Sequence, residues 1–205
     1  AGKAKLSYEF VSLNREHPPT NVYLIDRSRP KAKLDRKTEN FGPKVHRCVC
    51  DLKDIDLGKI GITTEGLICI GKHVCGCATC FSLLSLKNGL LRDEKTRSIL
   101  VSIATCCHQV CTYETFCNKK VLGQIEISAS EFNEMCRVTS WAVCKVKNDE
   151  IVFEGRTKSE VGRLFKQFID ICRLQFLQQL GFSASYVEYC SELISPENML
   201  LLASI

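Results

Sequence analysis

The sequence of 205 residues lacks any uninterrupted apolar run long enough to cross a membrane. A membrane helix needs roughly 18 to 20 such residues, and the best candidate, 66–86, is broken by Lys72 and His73. The first five residues also lack the apolar core of a signal peptide. We therefore expect no membrane partner for this chain.

Internal repeats, low-complexity tracts and a clear linker are also missing. Apolar content of 45% and charged content of 25% are typical of an ordinary globular chain, and the length suits one domain with a proper core. We predict that 1–205 is a single domain. Because it begins with Ala1 rather than Met, we also expect it to be part of a longer protein.

Cysteine, in contrast, is abundant, with 14 residues. In a short secreted protein this number would indicate a disulfide scaffold, but here the cysteines occur in a long chain with helix and strand patterns of its own. We therefore expect a reduced, intracellular setting, cytoplasmic or nuclear. Five cysteines are interpreted as small buried apolar groups without a functional role, namely Cys69, Cys136, Cys144, Cys172 and Cys190.

The net charge of +5 is concentrated in one block, 27–37, which holds six basic residues and one acid. Such a block is either a solvated loop or a phosphate-binding patch. A second basic group follows a predicted helix and comprises Arg156, Lys158, Arg163, Lys166 and Arg173. Nucleic acid is thus the best-supported partner. The candidate RNA-binding residues are Arg27, Arg29, Lys31, Lys33, Arg36, Lys37 and Arg173.

Hydrophobic periodicity predicts strands that alternate with helices. The predicted strands are 22–25, 46–50, 66–70, 98–104, 186–190 and 199–203, and the predicted helices are 6–14, 78–91 and 161–180, the last ending before Gly181. This alternation predicts an α/β fold with a mainly parallel sheet, helices on both faces and the last two strands as an antiparallel hairpin edge. Residues 145–155 are expected to be an irregular or antiparallel insertion.

Two Cys/His tracts, 71–80 and 104–111, directly follow two of the predicted strands. Ligand chemistry in open α/β sheets lies beyond the carboxyl ends of parallel strands, so the two tracts can face one pocket and form an active site. A structural zinc ion is the main rival explanation, because the tracts offer many soft ligands. Cys77 and Cys80 form the only Cys-x-x-Cys pair among them, without a matching second pair, and we therefore expect no bound metal.

The N-terminal residues carry the features of a cofactor loop. Gly2 precedes a predicted helix, where exposed N–H groups favour negative charge. Asp26 follows about twenty residues later at the end of a strand, where a carboxylate can accept both hydroxyls of a ribose. Asp51 ends the next strand, on the side where adenine contacts are made. Each Asp alone is also compatible with a turn or helix cap.

Six segments in this order resemble one known family across essentially the whole chain. They are Ala1 to Ser7, Leu24-Ile25-Asp26-Arg27-Ser28, Gly71-Lys72-His73-Val74-Cys75-Gly76, Cys106-Cys107-His108, Thr139-Ser140-Trp141-Ala142 and Ser195-Pro196-Glu197-Asn198. The chain resembles the catalytic domain of the eukaryotic tRNA ribose 2′-O-methyltransferase family that modifies the fourth nucleotide of the acceptor stem.

The resemblance implies a Rossmann-like methyltransferase fold that uses S-adenosylmethionine and acts on tRNA. It also implies that the first strand of the sheet and upstream zinc-finger modules are missing from this chain, so we expect the chain alone to be inactive. The cofactor-binding residues it implies are Ala1, Gly2, Lys3, Asp26, Arg27, Asp51, Leu52 and Lys72.

Methyl transfer to a ribose requires a group that orients the 2′-OH and removes its proton. Lys72 is the first candidate, although it could instead bind phosphate. His73 and, more weakly, His108 are the other candidate catalytic residues, each also compatible with a hydrogen-bonded core histidine. These interpretations require the strand ends to bring Asp26, Asp51, Lys72 and His108 around one methyl donor. A small-molecule methyltransferase and a non-catalytic zinc- or RNA-binding module are the alternatives.

Overall fold

The computed structural model describes residues 2–28, 33–57, 66–89, 98–144 and 149–205. They form two compact units, Ala1–Asp56 and Leu57–Ile205. The strands are β1 (Asn21–Asp26), β2 (Lys44–Val49), β3 (Gly66–Lys72), β4 (Ser98–Ala104), β5 (Ile151–Phe153), β6 (Arg156–Thr157), β7 (Ser183–Glu188) and β8 (Met199–Ser204). The α-helices are α1 (Lys5–Leu13), α2 (Lys33–Glu39), α3 (Cys77–Gly89), α4 (Lys119–Gln124), α5 (Ala129–Val138) and α6 (Lys158–Gln179).

The first unit contains a parallel pair of strands. β1 and β2 run side by side with Asp26 opposite Val49, so their carboxyl ends lie at the same edge. Helix α2 occupies part of the basic block and buries Asp35. The Asp35 carboxylate accepts two hydrogen bonds from Arg47 of β2, at 2.8 Å from Nη2 and 2.5 Å from Nε. The solvated-loop interpretation is therefore wrong for 33–39, because a buried ion pair joins this helix to the strand beside it.

The second unit contains a four-stranded mixed sheet in the order β3-β4-β8-β7. β3 and β4 are parallel, whereas β8 runs antiparallel to both β4 and β7. The mixed α/β class and the antiparallel hairpin edge are thus confirmed. Alternate residues of β4 are buried, as the period of two along a strand requires, namely Ile99, Val101 and Ile103.

Helix α6 is the longest helix described and packs beside the core of the second unit. It begins with a capping box, in which the Thr157 side chain accepts from the Glu160 backbone and the Glu160 carboxylate accepts from the Thr157 backbone. It ends at Gln179, and Gly181 adopts a φ of 91°, which confirms the predicted stop. The core cluster to which α6 contributes its buried face comprises Cys80, Cys111, Phe116, Val121, Leu122, Phe132, Cys136, Ile169 and Cys172.

Several local predictions are confirmed and others are corrected. The described part of the predicted insertion contains β5, which pairs antiparallel with β6 just beyond it. Cys136 and Cys172 are buried as expected, but Cys144, which lies just beyond a short helical turn, is exposed. The sequence interpretation also missed α5, although Ser128 and Glu131 have capping-box spacing and form that cap.

Candidate active site

The carboxyl ends of β1 and β2 bring together five residues that the sequence assigns to the cofactor. The Asp26 carboxylate accepts a hydrogen bond from the Gly2 backbone N–H at 2.6 Å. Asp51, two residues beyond β2, accepts from the Lys53 backbone at 3.2 Å and caps a short helical turn that begins at Leu52. Arg27 lies 3.8 Å from the Asp51 carboxylate, and its side chain is 81% exposed. Two carboxylates and a glycine turn therefore share one edge of the first unit.

The loop before α1 has the backbone shape of a glycine-rich turn. Gly2 has a φ of 50°, and a side chain built there would meet nothing within 4 Å. Ala4, the N-cap of α1, has a φ of 61°, a left-handed conformation that is unfavourable for a residue with a Cβ atom. Such strain in non-glycine residues is concentrated at ligand sites and other constrained segments. The backbone beside Asp26 is therefore open to close approach by a ligand.

A cavity of about 360 Å³ lies at the carboxyl ends of β3 and β4 in the second unit. One wall comes from the two strand ends and the other from the segment between β7 and β8. The lining residues are Lys72, His73, Ala104, Thr105, Cys106, Tyr189, Cys190, Ile194, Ser195 and Glu197. Lys72 and His73, two of the three predicted catalytic residues, are thus placed on one cavity wall. Cys190, interpreted from the sequence as a buried apolar group, also reaches this cavity.

Hydrogen bonds of Glu197 connect the second wall of the cavity to the rest of the unit. Its carboxylate accepts from the Cys107 backbone N–H at 2.9 Å and from Lys166 Nζ at 2.5 Å. Its backbone carbonyl accepts from the Tyr189 hydroxyl at 2.7 Å. Glu197 belongs to the Ser-Pro-Glu-Asn motif, and no role for it was predicted from the sequence. Through these hydrogen bonds, Glu197 connects the segment before β8 with the loop after β4, with α6 and with the residue that follows β7.

Asp170, which is fully buried, is the centre of a polar network beside the cavity. Its Oδ2 atom accepts from Thr105 at 2.9 Å, from His108 Nε2 at 2.8 Å and from the Tyr186 hydroxyl. Its Oδ1 atom accepts from Arg173 Nη1 at 2.7 Å. Although burial by itself raises the pKa of Asp170, the charge and hydrogen bond of His108 and the charge of Arg173 hold it well below its usual range. The carboxylate is therefore ionised inside the protein.

Two predicted site residues are corrected by this network. His108 has a side chain 1% exposed and Arg173 one 0% exposed, so neither reaches a substrate or an RNA backbone. Arg173 Nη2 instead donates to the Gly76 carbonyl at 2.9 Å. Its charge also acts on Cys80: burial raises the pKa of this thiol, but the hydrogen bond from Cys117 and the Arg173 charge lower it to about 6. The Arg173 guanidinium therefore makes its contacts inside the second unit.

Thr105 connects the buried network with the cavity, because it lines the cavity and donates to Asp170. Neither Thr105 nor Asp170 was predicted as a site residue from the sequence. One signal was available: Asp170 and Arg173 are charged residues three apart on the apolar face of α6, where an unpaired charge would be costly. A charged pair on such a face indicates a partner network across the core.

The remaining predicted residues are placed only in part. Ala1, Arg29 and Lys31 lie outside the described residues. Among the predicted RNA-binding residues, Arg27, Lys33, Arg36 and Lys37 are exposed, and so is Lys3 of the predicted cofactor set. Asp26 and Asp51 belong to the first unit and Lys72 to the second. That these three residues share one pocket stays a prediction.

Comparison with known proteins assigns the chain to a class of methyltransferases. A family model described as "Methyltransferase TRM13" matches residues 1–204. The chain belongs to this family. No solved structure gives a significant match. Among the described helices, none is both long and apolar enough to cross a membrane.

Curated relatives are found in several eukaryotes. A Yarrowia lipolytica protein named "tRNA:m(4)X modification enzyme TRM13" is 27% identical over 100% of the chain and 53% of its own length. A Mus musculus homologue of that name is 25% identical over 99% of the chain and 58% of its own length. A Dictyostelium discoideum homologue is 34% identical over 69% of the chain and 28% of its own length. The chain thus spans between 28% and 58% of the length of these relatives.

Proposed function

We propose that this chain is the methyl-transferring domain of a tRNA-modifying enzyme that methylates a ribose 2′-OH in the acceptor stem. The observation that carries the proposal is the placement of Lys72 and His73 on the wall of one cavity at the ends of two parallel strands. Membership of a methyltransferase family supports the reaction, and the names of the relatives support tRNA as the substrate.

The strand order supports a Rossmann-like methyltransferase fold for the proposal. Parallel pairs occur in both units, and the second unit ends in two antiparallel strands, β8 and β7. A parallel sheet with helical crossovers presents its ligand sites at the carboxyl ends of the strands. Lys72 and Asp26 each stand at such an end. That a first strand and zinc-finger modules precede this chain stays a prediction.

The residues at the β1 and β2 ends fit S-adenosylmethionine, the proposed cofactor. A carboxylate beside an open glycine backbone suits a ribose diol, and Asp26 with Gly2 provides both. Asp51, with a side chain 28% exposed, can contact the adenine side. When bound, this cofactor supplies an electrophilic methyl group on its sulfonium sulfur.

The cavity residues supply what the acceptor hydroxyl needs. Lys72 or His73 would orient the 2′-OH and take its proton as the new C–O bond forms. Glu197 holds the opposite wall through Lys166 and the Cys107 backbone, so the cavity keeps its shape. The exposed basic residues of the first unit, including Lys33 and Arg36, would contact the phosphates of the RNA through charge.

The decisive experiment is a methyl-transfer assay with the full-length protein, radiolabelled S-adenosylmethionine and unmodified tRNA, followed by mapping of the modified nucleotide. We expect RNA-dependent transfer to a ribose in the acceptor stem. Transfer without RNA would instead indicate a small-molecule methyltransferase, and absence of cofactor binding would indicate a non-catalytic module. Either result contradicts the proposal.

A further inference from the structure

Three cysteine sulfur atoms converge beside the cavity. The Sγ atoms of Cys75, Cys106 and Cys107 all lie within 4.8 Å of one another, and the Cys75–Cys106 separation is 3.6 Å. Cys75 belongs to the loop between β3 and α3, and the other two to the loop that follows β4. The three thiols therefore come from two loops on neighbouring parallel strands. Within the described residues, no other group of three Cys, His, Asp or Glu ligand atoms is as close.

The spacing of these atoms fits a metal that prefers sulfur. A tetrahedral zinc ion with Zn–S bonds of about 2.3 Å holds its sulfur ligands about 3.8 Å apart. The Cys75–Cys106 separation is already close to that value, and the remaining separations need only side-chain adjustments within the 4.8 Å limit. Thiolates select zinc over hard cations such as Mg²⁺, which prefer oxygen.

The backbone that carries the three thiols is already fixed. The Gly76 N–H donates to the Cys106 carbonyl at 3.0 Å and ties one loop to the other. The Cys107 N–H donates to Glu197, and Cys107 is held at a φ of 52°, a left-handed conformation that a cysteine rarely adopts. Ligands on a pre-ordered backbone lose less conformational entropy when a metal binds.

We infer that Cys75, Cys106 and Cys107 form a zinc-binding site that joins the loops after β3 and β4. On binding, each thiol loses its proton to solvent, and three thiolates coordinate Zn²⁺ without any change of oxidation state. A fourth coordination position stays available to water or to a ligand from the cavity, which Cys106 also lines. Cys106 is 6% exposed and the other two are half-buried, so the ion can enter from the solvent side. The inference goes beyond the proposed methyl transfer and does not depend on it.

The experiment measures zinc per protein chain by mass spectrometry after purification with a thiol reductant and dialysis. We expect Cys75→Ser and Cys106→Ser each to contain one equivalent less zinc than the parent protein. Cys144→Ser, at an exposed cysteine, is the matched control and should retain the parent value. Because every variant is compared with the same parent, zinc bound in other parts of the full-length protein cancels.

A spectroscopic measurement separates loss of a ligand from loss of the fold. Cobalt(II) replacing zinc gives thiolate-to-metal charge-transfer absorption whose intensity follows the number of thiolate ligands. We expect this absorption to drop in Cys107→Ser while the circular dichroism spectrum keeps its folded shape. Equal zinc content and equal cobalt absorption in the parent and all three variants would overturn the inference, as would recovery of Cys75 and Cys106 as a metal-free disulfide. Methyl-transfer activity is measured separately, so failure of the proposed function leaves this result interpretable.

Discussion

The ammonium of Lys166 lies 2.5 Å from Oε2 of Glu197, and the same ammonium donates to the Pro196 carbonyl at 2.6 Å. The Lys166 side chain is only 7% exposed, so its charge has been removed from most of the solvent. This pair joins the longest helix described, α6, to the segment before β8. The segment before β8, which forms one wall of the cavity, is thus held against helix α6.

Glu197→Gln should destabilise the protein by about 1–3 kcal/mol, because Lys166 would keep a buried charge without its partner. Chemical denaturation monitored by circular dichroism measures the change. Glu192→Gln is the control, since Glu192 is exposed and lies 4.0 Å from Arg163. That variant should change the free energy of unfolding by less than about 1 kcal/mol. An equal effect of the two variants would contradict the anchoring role.

Asp170→Asn should cost about 3–5 kcal/mol at neutral pH, since it leaves the buried Arg173 charge uncompensated. The pKa of Asp170 is lowered in the folded protein, so its contribution is complete above the ordinary value of about 3.9 and is lost as the pH falls below it. We therefore expect the stability difference between the parent and Asp170→Asn to be larger at pH 5 than at pH 3. Glu134→Gln, on the exposed face of α5, should show little difference at either pH. A difference that grows on acidification would refute the assignment.

Lys72→Ala should reduce methyl transfer to tRNA at least about 100-fold while leaving cofactor affinity unchanged. The reason is that Lys72 would act on the acceptor hydroxyl rather than on the methyl donor. Equilibrium binding and single-turnover kinetics separate the two effects. Lys120→Ala, at an exposed position of α4, should behave like the parent protein.

His73→Asn tests the competing base, and asparagine is chosen because it tolerates the left-handed φ of 59° at this position. If Lys72 takes the proton, His73→Asn should lose less activity than Lys72→Ala. The reverse order would transfer that role to His73.

Asp26→Asn should weaken S-adenosylmethionine binding about 10- to 100-fold, because charge-assisted hydrogen bonds to a ribose diol would be lost. Isothermal titration calorimetry with the full-length protein measures the affinity. Asp54→Asn, an exposed residue of the helical turn after β2, is the control and should bind like the parent. Unchanged affinity in Asp26→Asn would remove Asp26 from the cofactor site.

Gly76→Ala should destabilise the protein by about 2–4 kcal/mol, because Gly76 has a left-handed φ of 52° and its added Cβ would clash with Val110 Cγ2. Gly123→Ala in α4 provides the opposite case. A Cβ there meets nothing within 4 Å, and alanine favours the helix by about 0.5–1 kcal/mol. Thermal unfolding should shift in opposite directions in the two variants. Shifts of the same sign would show that the loop at Gly76 can relax.

Local pattern was sufficient for most elements of regular structure. The predicted strand 98–104 coincides with β4, and the predicted helix 161–180 overlaps nearly all of α6. Helix α2 was not predicted, because its sequence pattern is dominated by exposed basic residues. Its buried acid, Asp35, pairs with Arg47, which lies 12 positions away in the sequence. Periodicity reports which face of an element is apolar, and it contains no information about a distant ion-pair partner.

By itself, the sequence determined where the chemistry-bearing residues stand: Lys72 and His73 lie at the carboxyl end of an apolar strand, and any parallel pairing puts such residues at the ligand-binding edge. Only the tertiary structure decided which of the cysteines and basic residues face a cavity and which are interior. From the sequence, Arg173 is a candidate for RNA binding and His108 for catalysis. In the structure, both side chains pair with the buried Asp170. The physical reason is that pairing of charges across a core depends on the packing of α6 against the strand ends, which is set by long-range contacts and not by neighbours in the chain.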